Sequence, residues 1–106
     1  MESERMRTAF EALSDPIRLK IIQYLSDKYK DEPGVGAREG TTEEEICFHI
    51  AETSSKFLTI THHLHELEAA GLITIGRKDN LVTCALRPYV FGDLANELAA
   101  MVATDG

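Results

Sequence analysis

No stretch of this 106-residue chain approaches the ~18 consecutive apolar residues that a membrane-crossing helix needs. Its first residues, Met1-Glu2-Ser3-Glu4-Arg5, lack the apolar core of a secretory signal. A cytoplasmic protein without membrane contact is expected. Cysteine is scarce: Cys47 and Cys84 are 37 positions apart, with no close pair and no framework spacing. In a reducing compartment that spacing predicts free thiols rather than a disulfide. Also missing are the arrangements that carry catalysis. There is no nucleophile–base pair, no phosphate-cradling glycine loop and no pair of carboxylates at catalytic spacing, and nothing orients His62 and His63 beside Thr61 as a triad. The chain is therefore not expected to be an enzyme.

Basic residues are few as well, 11 against 18 acidic ones, for a formal charge of −7. That deficit predicts weak non-specific affinity for nucleic acid, because few phosphates can be neutralised. The charge is unevenly placed. Residues 31–52 hold one base and seven acids, whereas residues 53–91 hold four bases and three acids. Exposed charges are screened over roughly 8 Å in physiological buffer, so local sign matters more than the total.

What is present is ordinary for a globular domain, 43% hydrophobic and 27% charged. One domain spanning 1–106, with a single modest core, is expected at this length. Met6, Ala9, Phe10 and Leu13 form a helical stripe over 4–13. Asp15-Pro16 reads as a helix start, with Asp15 as cap and Pro16 at the first helical position. The helix from Ile17 to about Tyr29 is apolar on more than one face, which predicts a central, buried element. Residues 31–41, with three glycines and a proline, read as a loop. Thr42 with Glu45 reads as a capping box opening a helix to about Glu52 that buries Ile46 and Ile50.

The stretch from Ser54 to Gly71 organises the rest. Phe57, Ile60, Leu64 and Leu67 fall on one side of a helix, Ser54 or Ser55 suits the N-cap, and Gly71 suits a left-handed stop. Lys56, Thr59, Thr61, His62 and His63 are left off the stripe, short or planar hydrogen-bonding groups ahead of the acids Glu66 and Glu68. Such a helix suits the floor of a DNA groove. Leu72–Arg77 and Leu81–Leu86 then read as two strands around the turn Lys78-Asp79-Asn80. Pro88 opens a final helix with the stripe Phe91, Leu94, Leu98 and Met101. The expected fold is mostly α with a two-stranded β-hairpin wing: a winged helix-turn-helix in the order α-α-α-α-β-β-α. The helix-turn-helix would occupy 43–70 and the wing 72–86.

Two motifs carry a resemblance. Leu13-Ser14-Asp15-Pro16-Ile17-Arg18-Leu19-Lys20-Ile21-Ile22 resembles the L-x-D-P-x-R-x-x-I-L opening of the ArsR/SmtB transcriptional repressors. Thr61-His62-His63-Leu64-x-x-Leu67-x-x-Ala70-Gly71-Leu72-Ile73 is similar to their S-x-H-L-x-x-L-x-x-A-G-L-V. The resemblance runs over nearly the full length. It implies a homodimer joined by the first and last helices, 4–13 and 88–103, through Met6, Phe10, Phe91, Leu94, Leu98 and Met101. The apolar stripes on both terminal helices favour the same arrangement independently. Two recognition helices would then lie ~34 Å apart over a near-palindromic duplex operator. By the resemblance, DNA would be read by Ser55, Lys56, Leu58, Thr59, Thr61 and His62, with Arg77, Lys78 and Asn80 in the wing. Phe57 stands where the family tends to place a polar residue, and is left out of that set.

Members of the family commonly sense metals. Cys47 and His49 are the residues here with suitable donors for zinc or a softer ion. Residues two apart on a regular helix point ~200° apart, so one ion reaches both only if the turn distorts. The family's other site, on the last helix, needs histidines; Asp93 and Glu97 are present but no histidine accompanies them. A dimeric sequence-specific DNA-binding repressor without an evident inducer is expected. The alternative is a winged-helix protein-interaction module that uses the acidic 31–45 segment and does not bind DNA.

Overall fold

The computed structural model describes residues 1–31, 40–51 and 57–103. The elements run α1 (Ser3–Leu13), α2 (Pro16–Asp31), β1 (Thr41–Thr42), α3 (Glu43–Ala51), α4 (Phe57–Ala69), β2 (Ile73–Lys78), β3 (Leu81–Leu86) and α5 (Pro88–Val102). The expected helices and hairpin are present, and one strand is added. β1 pairs antiparallel with β3, Thr41 opposite Cys84 and Thr42 opposite Thr83, giving a three-stranded sheet in the order β1-β3-β2. The wing is thus a hairpin with a third short strand on its inner edge.

Local chemistry sets the boundaries. Asp15 Oδ2 accepts hydrogen bonds from the backbone N–H of Ile17 (2.9 Å) and Arg18 (3.0 Å), which caps α2 just ahead of Pro16. Thr42 Oγ1 accepts from the Glu45 N–H at 3.2 Å. The Glu45 carboxylate lies 4.0 Å from Lys28 Nζ. At the far end of α4, Gly71 has φ +79°, its N–H donates to the Glu68 carbonyl, and the Leu72 N–H donates to the Leu67 carbonyl. Those two bonds form a Schellman stop, which needs a left-handed residue at the Gly71 position. The hairpin turns through Asp79 and Asn80 at φ 50° and 69°, a two-residue type I′ loop whose twist matches its strands.

Ile21, Ile46, Ile50, Ile60, Leu64, Leu67, Leu72, Ile73 and Cys84 are the largest fully buried side chains. They join α2, α3, α4 and the base of the wing in one core. Behind α4, Ala9 and Ala12 let α1 approach closely. Beyond Leu94 the last helix leaves this core: Leu98 is 46%, Met101 62% and Val102 79% exposed. The radius of gyration, 14.7 Å, accordingly exceeds the ~13 Å of a compact chain of this length. Among the described residues, no helix is long and apolar enough to cross a membrane.

Gly40 has φ +76°, and a Cβ added there would sit 2.7 Å from the Cys84 carbonyl oxygen. Because that atom is backbone in a central strand, it cannot move aside cheaply. Gly40→Ala is expected to cost about 1–3 kcal/mol and to detach β1. Chemical denaturation and amide exchange at Thr41 and Thr42 measure both effects.

Candidate nucleic-acid interface

Helix α4 lies across the core with Ile60, Leu64 and Leu67 inward, which leaves His62, His65, Glu66 and Glu68 exposed. The wing tip presents Arg77, Lys78, Asp79 and Asn80 to solvent. Between helix and wing runs a groove of about 350 Å³ lined by Glu43, Thr61, His65, Ile75, Arg77 and Val82 among others. One basic side chain of the wing and two polar residues of α4 therefore share a concave surface.

Of the nine residues named for DNA from sequence, five are described with their surroundings. His62, Arg77, Lys78 and Asn80 are exposed. Thr61 is half-buried and its hydroxyl donates to Glu43 Oε1 at 2.6 Å. That bond ties the start of α3 to α4. Leu58 and Thr59 lie in the first turn of α4, with side chains outside the described ones. Ser55 and Lys56 lie outside the described residues. Sequence reasoning passed over His65 and Glu43, both of which line the groove.

His63 corrects the sequence picture of a wet helix face. It is buried, with Nδ1 3.8 Å from Asp15 Oδ2 and no hydrogen-bond partner on that nitrogen. Its position three residues after Ile60 and four before Leu67 puts it within the buried stripe. Around it stand Asp15, Arg18, His62 and Glu66; Arg18 lies 4.0 Å from both Asp15 and Glu66. Burial pushes the His63 imidazole below its ordinary pKa, against the opposing pull of Asp15. Burial works to raise the Asp15 carboxyl, but the backbone N–H of Arg18, the His63 ring, the backbone N–H of Ile17 and the Arg18 guanidinium hold it below its usual range. This cluster joins the α2 cap to the middle of α4.

The His63 shift has a defined sign. Above pH ~6.5 His63 is neutral in both folded and unfolded chains; as pH falls through that value only the unfolded chain takes up the proton, so stability is lost. The melting temperature is expected to drop more between pH 7.5 and 5.5 in the native protein than in His63→Leu. Thermal melts at fixed ionic strength check this.

On α3, the thiol of Cys47 is half-buried against the core and raised by burial and by the Glu43 and Glu44 carboxylates. The His49 ring instead stacks on Tyr24, with centroids 4.2 Å apart. The two donors occupy different surroundings. Among the described residues, no three His, Cys, Asp or Glu side chains are grouped to hold one. Cys84 is core, its thiol pushed up to about 12 by burial.

The six residues named for dimerisation fall into three groups. Leu94 is 5% exposed and fills the subunit's own core, leaving little for a partner. Met6 and Phe91 are partly buried, while Phe10, Leu98 and Met101 are exposed. Met1 joins the two terminal helices, its ammonium 2.7 Å from Glu97 Oε1.

Solved structures share this arrangement. An ArsR-family transcriptional regulator superposes with a TM-score of 0.73 at 24% identity, over 95% of this chain and 90% of that one. The fold is a winged helix-turn-helix. An ArsR-like regulator from Rhodococcus matches at 0.71 and 18% identity, over 92% of this chain and 79% of its own. A homodimeric winged helix-turn-helix DNA-binding domain from Mycobacterium bovis matches at 0.63 and 18%, with the same two coverages. Neither a family model nor a curated protein matches the sequence. In winged helix-turn-helix terms, α3 and α4 are the helix pair and β2–β3 the wing.

Proposed function

We propose that the protein is a cytoplasmic, dimeric, sequence-specific DNA-binding regulator of transcription, acting as a repressor. The observation that carries this is the open groove lined by Thr61 and His65 of α4 and by Arg77 of the wing, with His62 exposed on the same helix. An α-helix fits the major groove, where imidazoles hydrogen-bond base edges, while arginine and lysine of a hairpin hold phosphates. Leu58 and Thr59, in the first turn of α4, would meet bases or thymine methyls, and Ser55 and Lys56 would extend the contact. Resemblance of both sequence motifs to ArsR/SmtB repressors and the shared fold support the same function.

Dimerisation would use the apolar flank left uncovered by the subunit: Phe10 from α1 and Leu98 and Met101 from α5, with Met6 and Phe91 at its edge. A two-fold pair then places two recognition helices one DNA turn apart, over a near-palindromic operator. Dimer avidity also offsets the acidic total charge, since two weak half-site contacts act together.

Titrating duplex DNA into isotopically labelled protein tests this. Amide shifts are expected in the first half of α4 and in residues 76–81, with the outer face of α2 unmoved. No saturable shift with any duplex would instead support the protein-interaction alternative.

A further inference from the structure

On the side of the molecule formed by α2 and α3, one large aromatic has no role in the fold. Phe48 is 75% exposed. Beside it Tyr24 and His49 stack at 4.2 Å with an interplanar angle of 21°, and the three rings line a groove of about 370 Å³ together with Glu44 and Glu45. Acids in the first turn of a helix are accounted for by its dipole. That does not account for a phenyl ring held in water next to them.

A cation already stands against two of the lining residues. Lys28 Nζ lies 5.8 Å over the Tyr24 ring and 4.0 Å from Glu45 Oε2. Rings that offer π-faces, with carboxylates alongside, are the chemistry that holds guanidinium and quaternary ammonium groups. We propose that the α2–α3 groove binds an organic cation: the head group displaces Lys28 from Tyr24, Phe48 closes over it, and Glu44 and Glu45 balance its charge. Every residue involved lies away from α4 and the wing, so the proposal stands apart from DNA binding.

The probes are benzyltrimethylammonium, N-acetyl-arginine methylamide, its neutral citrulline counterpart, and a short arginine-containing peptide. Ring resonances of Tyr24, Phe48 and His49 are followed by NMR during titration. Saturable shifts are expected with the cations and not with citrulline. Lys28→Ala, which removes the resident cation, should tighten binding about threefold, and Glu44→Gln with Glu45→Gln should weaken it about fivefold. Saturation by the peptide but by neither free cation identifies a protein side chain as the ligand; saturation by the free cations identifies a small molecule. Equal shifts with citrulline, absent ring shifts with every probe, or no gain in Lys28→Ala would overturn the proposal. All three substituted residues are on the surface, so the fold is retained in each variant.

Discussion

Replacing His62 and Arg77 together by alanine is expected to lower specific DNA affinity by about 100-fold and leave the fold unchanged. Both side chains are exposed, and neither contributes to the core. The effect therefore reports contacts with DNA and not stability. A base-edge contact is worth about 1–3 kcal/mol of discrimination, and a phosphate contact weakens binding to all sequences alike while reducing the salt slope by about 1. The single variants should consequently differ in kind. His62→Ala would relax preference at one base position, and Arg77→Ala would weaken every duplex equally and flatten the salt dependence. Fluorescence anisotropy across a salt series, with circular dichroism as the control, separates the two. Thr61→Ala should behave in a third way, because its hydroxyl holds Glu43 and ties α4 to the start of α3.

Leu98→Glu combined with Met101→Glu is expected to yield a folded monomer with at least about 100-fold weaker operator binding. Neither side chain is needed by its own subunit, since both project from the part of α5 that has left the core. Two buried carboxylates at an apolar seam would cost several kcal/mol, more than a small dimer interface supplies. DNA affinity falls with it because the second half-site contact is no longer intramolecular. Leu94→Glu, one turn earlier, should behave differently and unfold the chain, because Leu94 belongs to the subunit core. Sedimentation velocity gives the state of assembly, and the same anisotropy assay gives the affinity.

Most of the fold was legible because each boundary has its own chemistry. Asp15 ahead of Pro16, Gly71 after the apolar stripe and Asp79-Asn80 between alternating strands act locally and appear in their expected roles, and Thr42 supplies its half of the capping box while the Glu45 carboxylate turns to Lys28. β1 was not legible. Two residues have no periodicity, and Thr41 and Thr42 are a strand only because β3 lies alongside them. His63 was missed for a related reason: its spacing from Ile60 and Leu67 marks the core, but a histidine reads as polar until Asp15 is seen opposite it. Thr61 likewise reads as a surface donor until Glu43, eighteen residues earlier, is placed against it. On α5 the stripe was correct, but periodicity has no term for where the subunit ends. Only the structure separates Leu94, which is inside, from Leu98 and Met101, which are outside.

Selection from a pool of random duplexes by the purified protein tests the central claim most directly, that α4 and the wing of two subunits together read DNA. Enrichment of a near-palindrome with half-sites one helical turn apart, about 10–10.5 base pairs between centres, is the predicted result. A pool that stays unenriched, or one that yields single half-sites with no fixed spacing, would contradict it.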